Sequence, residues 1–529
     1  MSEATISALA GQHAESTPGI DSPTHSLRSI MVLVGIIVLA VLLPRMLFIE
    51  LRPLHHDESV NFHFVQETFR KGYYPYSHLN YHGPLYFYML VGFVSLLGDS
   101  VLSFRGASIL SGVFACLLPA LLFWKRWSVR EILCVVLFLG VSASGVFHSR
   151  YAIHEILLLA CSLGMASLAF RFFDEGKLLF GGGAALFAAL CFATKETTLV
   201  VGFGLFLSCY LVFGFRSATR KIFELVGNGK RWIFLSGLLV IIIFSGGLQW
   251  SGGVREFALA FAQWISRGVE DHGHFKPWHY YLKVFYQTEP ALLPALLLFV
   301  LGTFRHGRAF LGANWKGITF FSLFGTLLLG LHSAIPYKMP WIVVQWTGPL
   351  AVATGLFVGR LLELWSTRST SIVARESFLR GIGALFGVLL LAAQLGFGVE
   401  YNFRIPYGSK NPFSYVHTGP DFITVMERIK PLLKNNPNEK LLVGVNAYWP
   451  IPYYLRDYAS QLGYQVTSDI GPLRKSYGVF LVEKEFGNAI PKDKCLESKY
   501  YRLSDVEETY LVVDRCRMKT PDGENSNGK

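Results

Sequence analysis

Charge is what this 529-residue chain has least of: Asp, Glu, Lys and Arg together make up 16%, against roughly 25% in an ordinary soluble domain. Apolar types fill 52% and aromatics 15%, and the mean hydropathy is +0.39. Such sparse charge excludes a disordered chain, a coiled coil and a water-soluble enzyme of ordinary surface. Cysteine is scarce as well. None of the seven has metal-ligand spacing, and five lie inside apolar blocks, where a buried thiol acts as a small hydrophobe. The formal net charge of +12 is not gathered into a basic patch on a soluble face, which argues against a nucleic-acid partner. It fits a polytopic membrane protein whose cytoplasmic loops are biased toward Lys and Arg.

What the chain does have is long apolar runs. Residues 27–49 match the ~20 residues a bilayer core requires. With an acid-free body and no small-residue cleavage site, this run reads as an uncleaved first span. Further blocks cover residues 101–124, 132–147, 153–173, 178–194, 197–215, 232–250, 291–304, 317–332, 341–364 and 378–399. Residues 85–98 are apolar but too short to cross comfortably. With the N-terminus inside and residues 85–98 re-entrant or interfacial, the basic clusters at Lys125-Arg126, Arg171, Arg220-Lys221, Lys230-Arg231, Arg305 and Arg380 all fall on the cytoplasmic side. The expectation is an α-helical polytopic membrane protein of a bacterial inner or plasma membrane, with about eleven spans, or twelve if the short block crosses.

Residues 1–26 read as a flexible cytoplasmic lead and 27–399 as the membrane domain. Residues 400–519 read as a small extracytoplasmic α/β domain, and 520–529 as a disordered tail. In the soluble part, Leu441–Val445, Gly478–Val482 and Tyr510–Val513 look like buried strands, and residues 451–462 like a helix. Cys495 and Cys516 both fall here. An extracytoplasmic location permits a disulfide between them, but sequence does not supply their separation.

The unusual polar residues sort onto one face of this topology: His55-His56-Asp57-Glu58, His82-Gly83-Pro84-Leu85-Tyr86, Ser149-Arg150-Tyr151 with His154-Glu155, Thr194-Lys195-Glu196, and Tyr337-Lys338-Met339-Pro340. Ionisable groups at span ends are costly to bury and point to function. Asp57 and Glu58 supply a carboxylate for general-base work on an acceptor hydroxyl, or a metal ligand. Arg150, Lys195 and Lys338 offer cationic donors to a phosphate leaving group, while tyrosines, Tyr86 and Tyr337 among them, and His56 or His82 can hydrogen-bond a sugar. That set is the minimum for displacing a lipid phosphate from a glycosyl carbon. Each part also has a plainer reading. The Asp-Glu pair can cap an interfacial helix, Gly83-Pro84 is a turn signal, and the three cations can be snorkelling anchors. The His pairs, His272 and His274 included, can be solvated loop residues without zinc spacing. The tyrosines can belong to an aromatic belt.

In order and sidedness these motifs resemble the GT-C superfamily of membrane glycosyltransferases, in particular its protein-mannosyltransferase and aminoarabinose-transferase branch. Closer still is the Agl23-like group, described as associated with flippase activity. The resemblance runs from about Asp57 to Asp457, taking in Tyr415-Val416-His417-Thr418 and Trp449-Pro450. It implies a polyprenyl-phosphate-linked sugar as donor and a lipid, glycan or protein acceptor. It also implies Asp57 as catalytic base with Glu58 in support, Glu155 near the donor phosphate, and Arg150, Lys195 and Lys338 holding that phosphate. In this branch catalysis is not tied to a divalent metal. The oligosaccharyltransferase branch uses one, with a second-loop acidic pair that His154-Glu155 replaces here, so no cofactor and no tightly bound metal is expected; a divalent metal is allowed but not required. The leading function is hexosyl transfer of mannosyltransferase type on the extracytoplasmic face. The competing readings are a flippase or flippase accessory for lipid-linked sugars, and a surface-assembly scaffold.

Overall fold

The computed structural model describes residues 26–80, 82–269, 273–366, 374–504 and 506–518. The expected flexible lead up to residue 25, the tail 520–529, Tyr81 and His272 lie outside these residues. Every apolar block of the sequence is helical. Among the described residues, six helices are long and apolar enough to cross a membrane: α1 (Leu27–Met46), α4 (Val101–Leu122), α7 (Glu155–Glu175), α15 (Trp315–Ala334), α16 (Pro340–Ser366) and α17 (Phe378–Arg404). Two bent pairs raise this to eight: α5 (Val129–Gly140) with α6 (Ala143–Ser149), broken by 60°, and α10 (Phe215–Asn228) with α11 (Lys230–Phe244), broken by 76°.

The remaining apolar blocks form shorter helices: α3 (Leu85–Leu97), α8 (Leu178–Phe192), α9 (Thr198–Phe213) and α14 (Pro290–Leu301). The eleven or twelve expected spans thus divide into full-length, bent and short helices. A turn at residues 193–197 takes up the ends of two blocks that the sequence shows as nearly continuous. The 13 residues of α3 reach only about 20 Å at ~1.5 Å per residue, short of the ~30 Å hydrocarbon core. Between the long helices lie α2 (His56–Lys71), α12 (Gly252–Val269) and α13 (Tyr280–Thr288).

Burial orders the bundle. The apolar window of α16 is 100% buried and that of α7 89%, whereas α1 is 11% and α17 28% buried. Leu27, Met31, Val34 and Leu39 on α1, and Phe378, Leu385 and Leu389 on α17, point outward. An apolar exterior of this kind is stable only in lipid. This is an integral membrane protein. At the centre, α16 lies close against α5: a Cβ added at Gly355 or Gly359 would stand 2.5 Å from Val135 Cα or 2.7 Å from Glu131 Cα. This is small-residue packing of the kind bilayer helices use.

After Arg404 the chain forms α18 (Pro420–Asn435) and a five-stranded sheet: β1 (Leu441–Gly444), β2 (Leu462–Tyr464), β3 (Val479–Glu483), β4 (Leu496–Arg502) and β5 (Glu508–Asp514). The spatial order is β2-β1-β3-β5-β4; the first three strands are parallel, and β5 and β4 join antiparallel. Leu441, Val443, Val479 and Leu481 pack on Phe422, Val425, Met426 and Ile429 of α18, while Leu442, Phe480, Val482 and Val512 cover the other face with Ile470. The helix expected over residues 451–462 is only a four-residue turn, Ile451–Tyr454, followed by 3-10 turns interrupted at Tyr458 (φ −116°, ψ 20°). Cys495 and Cys516, flanking β4 and β5, are joined in a disulfide.

Candidate active site at the junction of two cavities

The loop after α1 turns into α2 through a reciprocal cap. Glu58 accepts from the His55 backbone N–H (2.8 Å), and the Asp57 N–H donates to His55 Nδ1 (3.0 Å). Glu58 is then fully used. Its oxygens also accept from Arg105 Nε and Nη2 (2.9 and 2.8 Å) and from Ala152 N–H (2.9 Å), and its side chain is 1% exposed. Burial alone would raise the Glu58 carboxyl, but the Arg105 guanidinium and these hydrogen bonds outweigh it and hold Glu58 below the usual carboxylate range. Expected to support catalysis, Glu58 instead bolts α2 to α4 and to the loop before α7, and it does not line the site. Its partner, a lone Arg inside an apolar block, was the sequence signal for this role.

Asp57, one residue earlier, turns the other way. Its side chain is 41% exposed and lines a polar cavity of about 500 Å³ with His55, His56, Asn61, His82, His154, Glu155, Lys195, His274, Tyr337 and Tyr415. His55 Nε2 lies 2.8 Å from the Tyr415 carbonyl, which can only accept. That assigns the proton to Nε2 and leaves Nδ1 as an acceptor. Tyr151 Oη is 2.5 Å from this Nδ1 and 3.1 Å from Asp57 Oδ2. Asp57 therefore carries at most one shared donor and keeps free lone pairs facing the cavity.

A second cavity of about 580 Å³ adjoins the first, and His82, Lys195, Tyr337, Met339 and Trp341 line both. Its remaining walls are mainly apolar: Leu199, Val200 and Phe203 of α9, Trp264, Ile265 and Val269 of α12, and Leu331 of α15. Lys195, in the turn between α8 and α9, pairs with Glu155 at the start of α7. His82 Nδ1 is 3.3 Å from Glu196 Oε2. A backbone clasp sets that pairing, with Gly83 N–H donating to Thr194 O and Leu85 N–H to Ala193 O, both at 3.0 Å. Gly83 is required there, since a Cβ would stand 2.2 Å from Ala193 O. Tyr337 is presented by a short antiparallel pairing with Phe275.

Three other expected site residues stand apart from both cavities. Arg150 is buried and donates to the backbone carbonyls of Leu47, Phe48 and Asn402 (2.9, 2.5 and 3.2 Å), tying the end of α1 to α17. Lys338 is buried and its ammonium bonds the Ile335 carbonyl; burial lowers its pKa. Tyr86 is buried with its hydroxyl 2.7 Å from Ser108 Oγ. The expected three-cation cradle thus reduces to Lys195, the one Lys or Arg among the described residues lining either cavity. Sequence reasoning gave no role to Tyr151, His154, His274 or Tyr415. All four sit inside or beside quoted motifs, but only the fold shows that they converge. Among the described residues, the one group of three side chains within metal-ligand reach is Cys495, Asp514 and Cys516, and the two sulfurs there are bonded to each other.

A helical membrane bundle followed by a small α/β domain is the GT-C-like architecture expected from the motifs, and known proteins share it. The crystal structure of ArnT from Cupriavidus metallidurans in the apo state superposes with a TM-score of 0.60 at 11% identity, covering 93% of this chain and 99% of that one. The same protein bound to undecaprenyl phosphate gives 0.57 at 12% identity, covering 91% and 97%. The oligosaccharyltransferase of Archaeoglobus fulgidus in the apo form gives 0.51 at 10% identity, covering 89% and 73%. Residues 81–250 match the family described as dolichyl-phosphate-mannose-protein mannosyltransferase. No curated protein matches the chain in sequence. The fold expected from the motifs is therefore shared with these proteins, and residues 81–250 match the mannosyltransferase family model, while the narrower Agl23-like resemblance rests on the motifs alone.

Proposed function

We propose that the protein is a membrane glycosyltransferase that moves a sugar, of hexose type, from a polyprenyl phosphate to an acceptor hydroxyl on the extracytoplasmic face. The carrying observation is the junction of the two cavities at His82 and Lys195. Such a shape suits an amphiphilic donor, with its prenyl chain along Phe203, Trp264 and Ile265 and its phosphate at Lys195, which Glu155 would release to it. The glycosyl carbon then lies in the polar cavity with Asp57. The acceptor oxygen attacks that carbon, its proton passes to Asp57, and the polyprenyl phosphate leaves with the electrons of the broken C–O bond, inverting the anomeric centre. Lys195 stabilises the departing phosphate. Undecaprenyl phosphate bound to ArnT supports this donor class.

Equilibrium binding of undecaprenyl phosphate to the protein in lipid nanodiscs tests the donor site. Lys195→Met should weaken binding about tenfold or more, the scale of one charge-assisted contact, while Lys338→Met, outside the cavities, should leave it within about twofold. Equal affinities for wild type and Lys195→Met would contradict the assignment.

One observation favours a transport reading as well. Glu289 is fully buried at the break between α5 and α6, accepting from Ser142 Oγ (2.7 Å) and from the Ser144 N–H and Oγ (2.8 and 2.6 Å). A buried ionisable group facing the break of a discontinuous helix is a transporter feature. A lipid-flipping assay in which Glu289→Gln abolishes flipping while Asp57→Asn does not would favour that reading.

A further inference from the structure

The polar cavity is not closed by membrane helices alone. Val416 and Ala447, from the segment after α17, line it together with Asn61. The small domain is held over α2 by Tyr454 Oη accepting from Leu54 N–H (3.0 Å), Thr418 Oγ1 donating to Leu54 O (2.7 Å) and an Arg456–Asp99 ion pair (3.0 Å). A narrow crevice continues outward from the cavity, sharing His56, Val416 and Ala447 with it and reaching Trp449, Ser504 and Glu507.

From that crevice a row of aromatic rings leads away over the soluble domain. The Trp449 ring lies 6.5 Å from His56, Tyr448 lies 5.5 Å from Trp449, and Tyr464 lies 5.1 Å from Tyr448. Tyr448 and Trp449 are half-buried, and Tyr464, on the edge strand β2, is 48% exposed. Tyr464 packs tilted on Tyr448 with nearly half of its surface open, and a run of amphipathic rings of this kind suits the apolar faces of successive sugar units. The flank is acidic. Glu483 accepts from the Asn446 N–H (2.8 Å), and burial together with Glu483 pushes the Glu507 carboxyl up to about 7. Glu483 supplies an acceptor for hydroxyl groups, and a Glu507 carboxyl that titrates at about 7 can both accept from them and donate to them.

We propose that Trp449, Tyr448 and Tyr464 form the acceptor-binding surface, and that the acceptor is a neutral glycan chain whose terminal hydroxyl enters the polar cavity at Asp57. This names the acceptor class for the transferase reading above and rests on that reading for its direction, but the surface binds whether or not transfer follows. The test is equilibrium binding of neutral linear manno- and gluco-oligosaccharides to the full-length protein in nanodiscs, followed by calorimetry and saturation-transfer NMR. Wild type should bind at least one series. Tyr464→Ala and Tyr448→Ala should weaken that binding about tenfold, Tyr464→Phe should restore it, and undecaprenyl phosphate affinity should not change in any of them. Failure of wild type to bind either series, unchanged affinity in the alanine variants, or preferential binding of a polyuronate would overturn the proposal. Loss of undecaprenyl phosphate binding with glycan binding intact would instead strike the donor site and leave the aromatic surface standing.

Discussion

A carboxylate serves as a base only while its lone pairs remain free of fixed donors, and this condition separates Asp57 from Glu58. Glu58 receives four hydrogen bonds in a dry setting, so its charge is spent on architecture. Asp57 shares one tyrosine proton and faces an open cavity. The dipeptide in the sequence did not distinguish the two, because which carboxylate faces inward depends on the rotation of α2, and Arg105, 47 residues after Glu58, fixes that rotation. The same holds for Arg150, Lys195 and Lys338. Each is a lone cation near a span end, and only Lys195 reaches a cavity; the others satisfy nearby carbonyls. Truncating Arg105 to Ala should leave Glu58 buried without its counter-charge and cost about 3–5 kcal/mol. A fall in the thermal midpoint of the detergent-solubilised protein, far larger than for Arg404→Ala at an exposed ion pair, checks this.

Among elements, the turns between short helices position the chemistry. The residue 193–197 turn brings Lys195 and Glu196 to the point where the clasp from Gly83 and Leu85 delivers His82. Gly83→Ala should displace that clasp, since its methyl meets a backbone carbonyl and not a yielding side chain. The expected cost is about 1–3 kcal/mol of overpacking, with a transfer rate falling at least about tenfold. Gly92→Ala, where a Cβ meets nothing within 4 Å, should be neutral in both measurements. Hydropathy revealed each apolar block and the three inner strands, because burial on both faces leaves continuous apolar runs. It did not reveal β4, whose residues are largely exposed, nor the breaks that turn blocks into bent pairs or short helices. Those breaks are set by packing against neighbours, which no local window contains.

For the whole molecule, the organisation into an apolar bundle with a polar cap follows directly from composition, and the GT-C resemblance was legible in the order of short motifs. The convergence of the first loop, the turn before α9, the Tyr337 strand and the Tyr415 segment on one junction was legible only in part. Topology aligned their sidedness, while their distances depend on how the small domain seats on α2. The account turns on that junction being a reaction centre with Asp57 as its base. The most direct measurement is transfer of radiolabelled hexose from a polyprenyl phosphate by the purified protein in nanodiscs, comparing wild type with Asp57→Asn at equal donor occupancy. The account predicts that wild type transfers the label and that the variant, folded and binding undecaprenyl phosphate normally, loses about 10²–10⁴-fold in rate. Equal rates in the two proteins would contradict it.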